Sequence, residues 1–198
     1  MGICASKEVR QQKNANAKID NELWKQREKE QRSIKMLLLG PGESGKSTVL
    51  KQMRILHMNG FNEQQLREYL PLIYMNIVQS IYALLEARRK MRIEFSNPEL
   101  ELKSELILRI VKEEREREII NSDTVKVIQE IWADEAIKKC YDRRTEFQLN
   151  DSARYFMEHV ERLCTQNEVP NEQDILQTRV ATMGIVEVNF NHKALLFR

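Results

Sequence analysis

Residues 40–47 read Gly40-Pro41-Gly42-Glu43-Ser44-Gly45-Lys46-Ser47, and this stretch constrains the chain more than any other. It fits G-x-x-x-x-G-K-[ST], a loop whose glycines let successive backbone N–H groups turn inward onto phosphate oxygens. The apolar run Ile34-Lys35-Met36-Leu37-Leu38-Leu39 before it predicts a buried strand. After it, Val49, Met53 and Leu56 share one helical face, which predicts a helix. A strand, a glycine loop and a helix N-terminus form the setting that phosphate binding needs, because the helix end adds partial positive charge. A glycine turn that binds nothing is the plain alternative, and both flanks argue against it. In this pattern Lys46 reaches the β- and γ-phosphates and the Ser47 hydroxyl ligates Mg²⁺.

A chain of 198 residues has room for one large domain or two small ones. It is 41% hydrophobic and 31% charged, with a net charge of +2, so no global pull toward nucleic acid is expected. Cys4, Cys140 and Cys164 are an odd number without C-x-x-C spacing, which suits a reducing compartment better than a disulfide framework. No continuous apolar run approaches the ~18 residues of a membrane span. His57, His159 and His192 are scattered and lack zinc spacing.

The first residues, Met1-Gly2-Ile3-Cys4-Ala5-Ser6, fit M-G-x-x-x-[ST], with Gly2 as the myristoyl acceptor and Cys4 placed for palmitoylation. One myristoyl chain anchors marginally, so a second lipid or a basic patch is needed. From Lys7 to Lys35 there are nine Lys/Arg against five Asp/Glu. An unmodified, frayed terminus is the alternative. Residues 7–32 predict a solvated helix with a thin apolar stripe of Val9, Ile19, Leu23 and Trp24, held by a membrane surface or a partner, or else a free arm.

After Asn59-Gly60 the pattern changes. Leu66, Leu70, Ile73, Ile77, Ile81 and Leu84 predict a long helix to about Arg89, kinked or restarted at Pro71. Leu106, Ile110 and Val111 mark a second helix. Val125, Ile128, Ile131 and Trp132 mark a third, capped by Asp123. A short fourth runs from Asp134 to about Cys140. A fifth opens at Asp151 and turns Phe156, Val160 and Leu163 inward. The run 113–118 reads as a solvated face. Val169-Pro170-Asn171 is a turn and cap before a short helical turn. Val186, Val188 and Phe190 then alternate as a half-buried strand, Asn191-His192-Lys193 turns the chain, and Ala194 to Arg198 begin another strand.

With these pieces in this order, the sequence resembles the α subunits of heterotrimeric G proteins over essentially its whole length. The matching stretches are Met1-Gly2, the polar N-terminal helix, 35–48, the all-helical insertion, Leu149-Asn150-Asp151-Ser152-Ala153, 172–176, Thr178-Arg179-Val180, Thr182 and Gly184-Ile185-Val186-Glu187. The resemblance implies an α/β, Ras-like P-loop GTPase domain, interrupted by an all-helical domain and preceded by an N-terminal helix. GTP or GDP would be clamped between the two domains. The expected divisions are 1–32 for the acylated helix, 33–60 for the start of the Ras-like domain, 61–173 for the helical domain, and 174–198 for switch I and the strands after it.

The resemblance also carries residue roles. Gly40, Gly42, Glu43, Ser44, Gly45, Lys46, Ser47 and Thr48 would hold the phosphates. Asp151, Ser152, Leu176, Gln177, Thr178, Arg179 and Thr182 would contact the nucleotide from the other side. Ser47 and Thr182 would ligate Mg²⁺. Arg179 matches an arginine finger supplied within the chain, and Glu43 would face it across the nucleotide. The implied protein is a signal-transducing subunit at the cytoplasmic face of the plasma membrane. Its partners would be a βγ dimer, a G-protein-coupled receptor and an effector, and GTP hydrolysis would be its off-switch. The sequence departs from the family pattern at Pro41 for alanine, Gln177 for arginine, and Ala181 and Met183 for lysine and threonine. Its acylatable cysteine is Cys4 rather than the residue beside Gly2. The family's D-V-G-G-Q, N-K-x-D and T-C-A-T motifs would follow Arg198, so the chain is expected to be an N-terminal portion. The alternative is a truncated, non-hydrolysing, membrane-anchored module that binds βγ. A kinase or ATPase, the reading from the P-loop alone, fits neither the helical insertion nor the Arg179 loop.

Overall fold

The computed structural model describes residues 7–42, 44–179, 186–193 and 195–198, with all of their side chains but those of 7–14 and 29. The chain divides into two compact units, Met1–Lys46 with Gly184–Arg198, and Ser47–Met183.

The first unit carries helix α1 (Lys7–Gln31) and a three-stranded sheet of β1 (Ser33–Ile34), β2 (Phe190–His192) and β3 (Leu195–Phe197). α1 matches the polar, glycine-free composition of its segment, and Ile19, Leu23 and Trp24 of its thin apolar stripe stay exposed, Trp24 at 69%. The strand order is β1-β3-β2, with β1 parallel to β3 and β2 antiparallel to it. Ser33 sits opposite Leu196 and Phe190 opposite Phe197, whose rings stack at 5.1 Å. The Arg198 N–H donates to the Ile34 carbonyl at 2.9 Å and the Met36 N–H to the Arg198 carbonyl at 2.8 Å.

Two strand expectations are corrected here. The buried strand predicted over 34–39 is a two-residue edge strand, and Leu37 and Leu39 are 78% and 80% exposed. A parallel strand reads as a continuous apolar run when helices cover both faces of its sheet, whereas among the described residues β1 has β3 as its one neighbouring strand. The half-buried strand predicted from Val186 begins at Phe190. It takes in Asn191 and His192, which the sequence pattern assigned to the turn, and Lys193 turns the chain at φ 47°.

The second unit holds helices joined by turns, with no strand among its described residues. α2 (Lys46–His57) stops at Asn59 and Gly60, whose φ values of 60° and 68° are left-handed. Gly60 has a further reason to be glycine, since a Cβ there would run into the Glu172 carboxylate. α2 is the helix that Val49, Met53 and Leu56 predict; Val49 and Leu56 are exposed, and the buried residue of this helix is Lys51. α3 (Glu63–Arg67) starts in a capping box of Asn62 and Gln65. Pro71 restarts the chain as α4 (Leu70–Met91), sitting in the first turn, where its missing N–H costs nothing.

α4 is the axis of this core. Ile73, Ile77, Ile81 and Leu84 are fully buried, and α4 packs against α5 (Glu99–Lys112), α7 (Glu135–Asp142) and α8 (Ala153–Glu158). α6 (Ser122–Ala133) closes the core with Ile128 and Ile131. Its cap is Asn121, which accepts the Thr124 N–H, rather than Asp123. Asp123 lies inside the first turn, where a carboxylate still suits the helix dipole. The helix expected from Asp151 is two pieces, α8 and α9 (Val160–Leu163), broken at His159, with Phe156, Val160 and Leu163 inward as expected. α10 (Glu172–Gln177) follows a capping box of Asn171 and Asp174. By length and average composition, 63–91 is apolar enough to cross a membrane. The apolar face of α4 instead forms the core, and polar residues interrupt its run.

Candidate functional site

The phosphate loop takes the backbone its glycines allow. Gly45 has φ 84° and Gly40 φ 156°, and a Cβ on Gly40 would lie 2.7 Å from the Ser44 hydroxyl oxygen. The Lys46 ammonium folds over the loop. It donates to the Gly40 carbonyl at 2.8 Å, the Pro41 carbonyl at 2.6 Å and the Ser44 hydroxyl at 3.3 Å. These acceptors satisfy all three of its donors. Lys46, Ser47 and Thr48 begin α2, so their N–H groups are first-turn donors with no intrahelical carbonyl to bind. A tetrahedral oxyanion suits a ring of such donors with a movable ammonium beside it. Ser47 supplies a hydroxyl at the same place. No cluster of three His, Cys, Asp or Glu stands among the described residues. The single Ser47 hydroxyl is a hard oxygen donor of the kind that fits Mg²⁺, whose shell is completed largely by phosphates and water.

The helical-unit residues gather around the end of α10. The Ser152 hydroxyl donates to the Gln177 side chain at 2.6 Å. Asp151 is exposed, while Leu176 and Gln177 are half-buried. Thr178 is buried, and its hydroxyl donates to the Asp174 carbonyl at 2.7 Å. Arg179 is exposed, but its backbone is bonded on both sides of its Cα. Glu43, Thr182, Gly2 and Cys4 lie outside the described residues.

Several residues that hold this region carry no motif. Asp174, fully buried, accepts from Arg162 at 2.6 and 3.1 Å, from the Tyr155 hydroxyl at 2.6 Å and from the Asn171 N–H at 2.7 Å. Burial alone would push its carboxyl up; the hydrogen bonds from Arg162, Tyr155 and Asn171 outweigh that and hold it below the usual carboxylate range. Burial, then the Asp174 hydrogen bond, push the Tyr155 phenol up. Lys51, 8% exposed, donates to the Ile175 carbonyl at 2.7 Å and the Thr178 carbonyl at 2.6 Å, and burial draws its ammonium down to about 8. Asn76 and Ser80 sit four apart within the apolar stripe of α4 and are buried there. A polar pair inside such a stripe was the available sign of an internal hydrogen-bonding role.

Residues 13–198 match the family model described as G-protein alpha subunit. The chain is 42% identical over 198 residues to the guanine nucleotide-binding protein alpha-7 subunit of Caenorhabditis elegans, and 41% to that of Caenorhabditis briggsae. It is 39% identical to the guanine nucleotide-binding protein G(o) subunit alpha of Locusta migratoria. All of this chain is covered in each case, and it spans 56% of the length of each relative. The chain belongs to the G-protein alpha subunit family.

Proposed function

We propose that this chain provides the phosphate-binding and arginine-bearing portion of a guanine nucleotide-binding signal transducer, in which GTP hydrolysis ends the signal. The observation that carries the reading is the Lys46 ammonium held at 2.6–2.8 Å on the carbonyls of a glycine loop that opens a helix. On this reading the units belong to a Ras-like domain and its helical insertion. Lys46 exchanges its loop carbonyls for β- and γ-phosphate oxygens, and the amides of Glu43 to Thr48 receive the remaining charge. Mg²⁺, when bound, neutralises charge on the β- and γ-phosphates, and Ser47 and Thr182 are the residues that would hold it. Arg179 stabilises the negative charge that develops on the γ-phosphoryl group, a role that comes with the family. Glu43 pairs with it.

Gly2 and Cys4 would carry the lipids that place the protein at the cytoplasmic face of the plasma membrane. α1, with Ile19, Leu23 and Trp24 exposed, suits the βγ partner. A receptor and an effector complete the proposed set.

The test is titration of the chain with a fluorescent GDP in Mg²⁺. Lys46→Ala removes charge-assisted hydrogen bonds worth about 1.5–3 kcal/mol and is expected to weaken binding by roughly 10- to 100-fold. Equal affinity of parent and variant would overturn the phosphate-loop assignment.

A further inference from the structure

We infer that Asn76 and Lys51 are positioning residues that fix the main chain on either side of Arg179. The inference rests on the reading of Arg179 as the residue that meets transition-state charge.

The peptide between Thr178 and Arg179 is held from both sides. Its carbonyl accepts from the Lys51 ammonium at 2.6 Å, and its N–H donates to the Asn76 Oδ1 at 3.1 Å. The next carbonyl, that of Arg179, accepts from the Asn76 Nδ2 at 3.0 Å. One carboxamide thus spans the N–H and C=O of a single residue, as a neighbouring strand would. Asn76 is 3% exposed and has no capacity left over. Its two donors go to the Leu72 and Arg179 carbonyls, and its oxygen accepts from the Asn150 Nδ2 at 2.8 Å and from the Arg179 N–H. Flipping the amide would set N–H against N–H at two of these contacts, so the network admits one orientation.

The chemistry requires such a grip. A guanidinium at the end of a long side chain stabilises developing charge to the extent that its origin is fixed before the reaction. Arg179 follows α10 directly and has no helix of its own. Lys51 supplies a second link, because it lies four residues after Ser47 on α2 and so on the same helical face. The helix that opens with the phosphate loop therefore also holds the carbonyl preceding Arg179.

Two measurements test this. In the 198-residue chain, the Arg179 amide should exchange with solvent at least tenfold more slowly than an unstructured amide. Asn76→Ala should remove that protection while the amides of α4 keep theirs. For hydrolysis, residues 1–198 replace the matching segment of the Locusta G(o) subunit. There Asn76→Ala should slow single-turnover hydrolysis by about tenfold and leave GTP affinity unchanged. In an Arg179→Ala background it should slow hydrolysis no further, because a residue that acts through Arg179 has nothing left to position. An unprotected Arg179 amide in the parent overturns the inference, and this result does not depend on whether the variant folds. So does an Asn76→Ala effect that adds to that of Arg179→Ala. Unchanged hydrolysis in Arg179→Ala alone overturns the reading of Arg179, and this inference with it.

Discussion

Lys51 shows how a single buried charge reports on its surroundings. Desolvation draws its ammonium from 10.5 to about 8, and the neutral amine can still donate to both the Ile175 and Thr178 carbonyls. Between those two values the unfolded chain keeps a proton that the fold has released, so this group's contribution to stability rises with pH. It is fully present above 10.5 and is lost as pH falls through about 8. Cys164 acts in the opposite sense, since burial pushes its thiol from 9 up to about 12, and its contribution is lost as pH rises across that window. Comparing the parent with Lys51→Met by urea denaturation cancels the Cys164 effect. The stability difference should move in the parent's favour from pH 8 to 10.5, by on the order of 3 kcal/mol at most. A flat difference across that range would mean that Lys51 titrates normally.

At the scale of elements, short α10 stands because others hold it. Its capping box uses Asp174, and the same carboxylate receives Arg162 from α9 and Tyr155 from α8. Asp174→Asn should cost about 2 kcal/mol in chemical denaturation at pH 7, below the range for a fully buried pair because Arg162 keeps a third of its side chain in water. The cost should fade as pH falls below 3.8, where the carboxyl of the unfolded chain takes up its proton before the folded one does. No pH dependence would show that the charge is irrelevant there. The elements differ in how legible they were. α4, α5 and α6 were readable because three- and four-residue apolar spacing survives burial, and Asn59-Gly60 and Pro71 act locally. β1 was misread because Ile34 to Leu39 has the composition of a covered strand, and coverage is a tertiary fact. The loop proposed to bind phosphate is a contiguous motif, Gly40 to Ser47, and so could be read from the sequence. The grip on Arg179 was not, because Asn76 and Arg179 are 103 residues apart and no spacing rule joins them.

For the whole molecule, the question is what these 198 residues can recognise. The phosphate contacts proposed for Gly40 to Thr48 would be identical for GTP and ATP. Discrimination between the bases requires polar groups aimed at the base edge, because buried groups left unpaired are what reject the wrong ligand. No N-K-x-D sequence occurs in the chain to supply them. The first unit offers little rigidity for the loop, since its sheet is three short strands and Leu37 and Leu39 lie in water. The second unit has its own closed core around Ile77, Ile81, Ile128 and Phe156. Isothermal titration of this polypeptide with each nucleotide in Mg²⁺ should therefore give weak affinities for GTP and ATP within about threefold of one another, less than the ~10-fold that 1.4 kcal/mol of base recognition would produce. Circular dichroism of the same sample should show a strongly helical spectrum with a cooperative melt, carried by the second unit. A guanine preference of 100-fold or more would show that base-reading groups exist within residues 1–198. Weak, unselective binding without a cooperative melt would place the defect in the helical core instead.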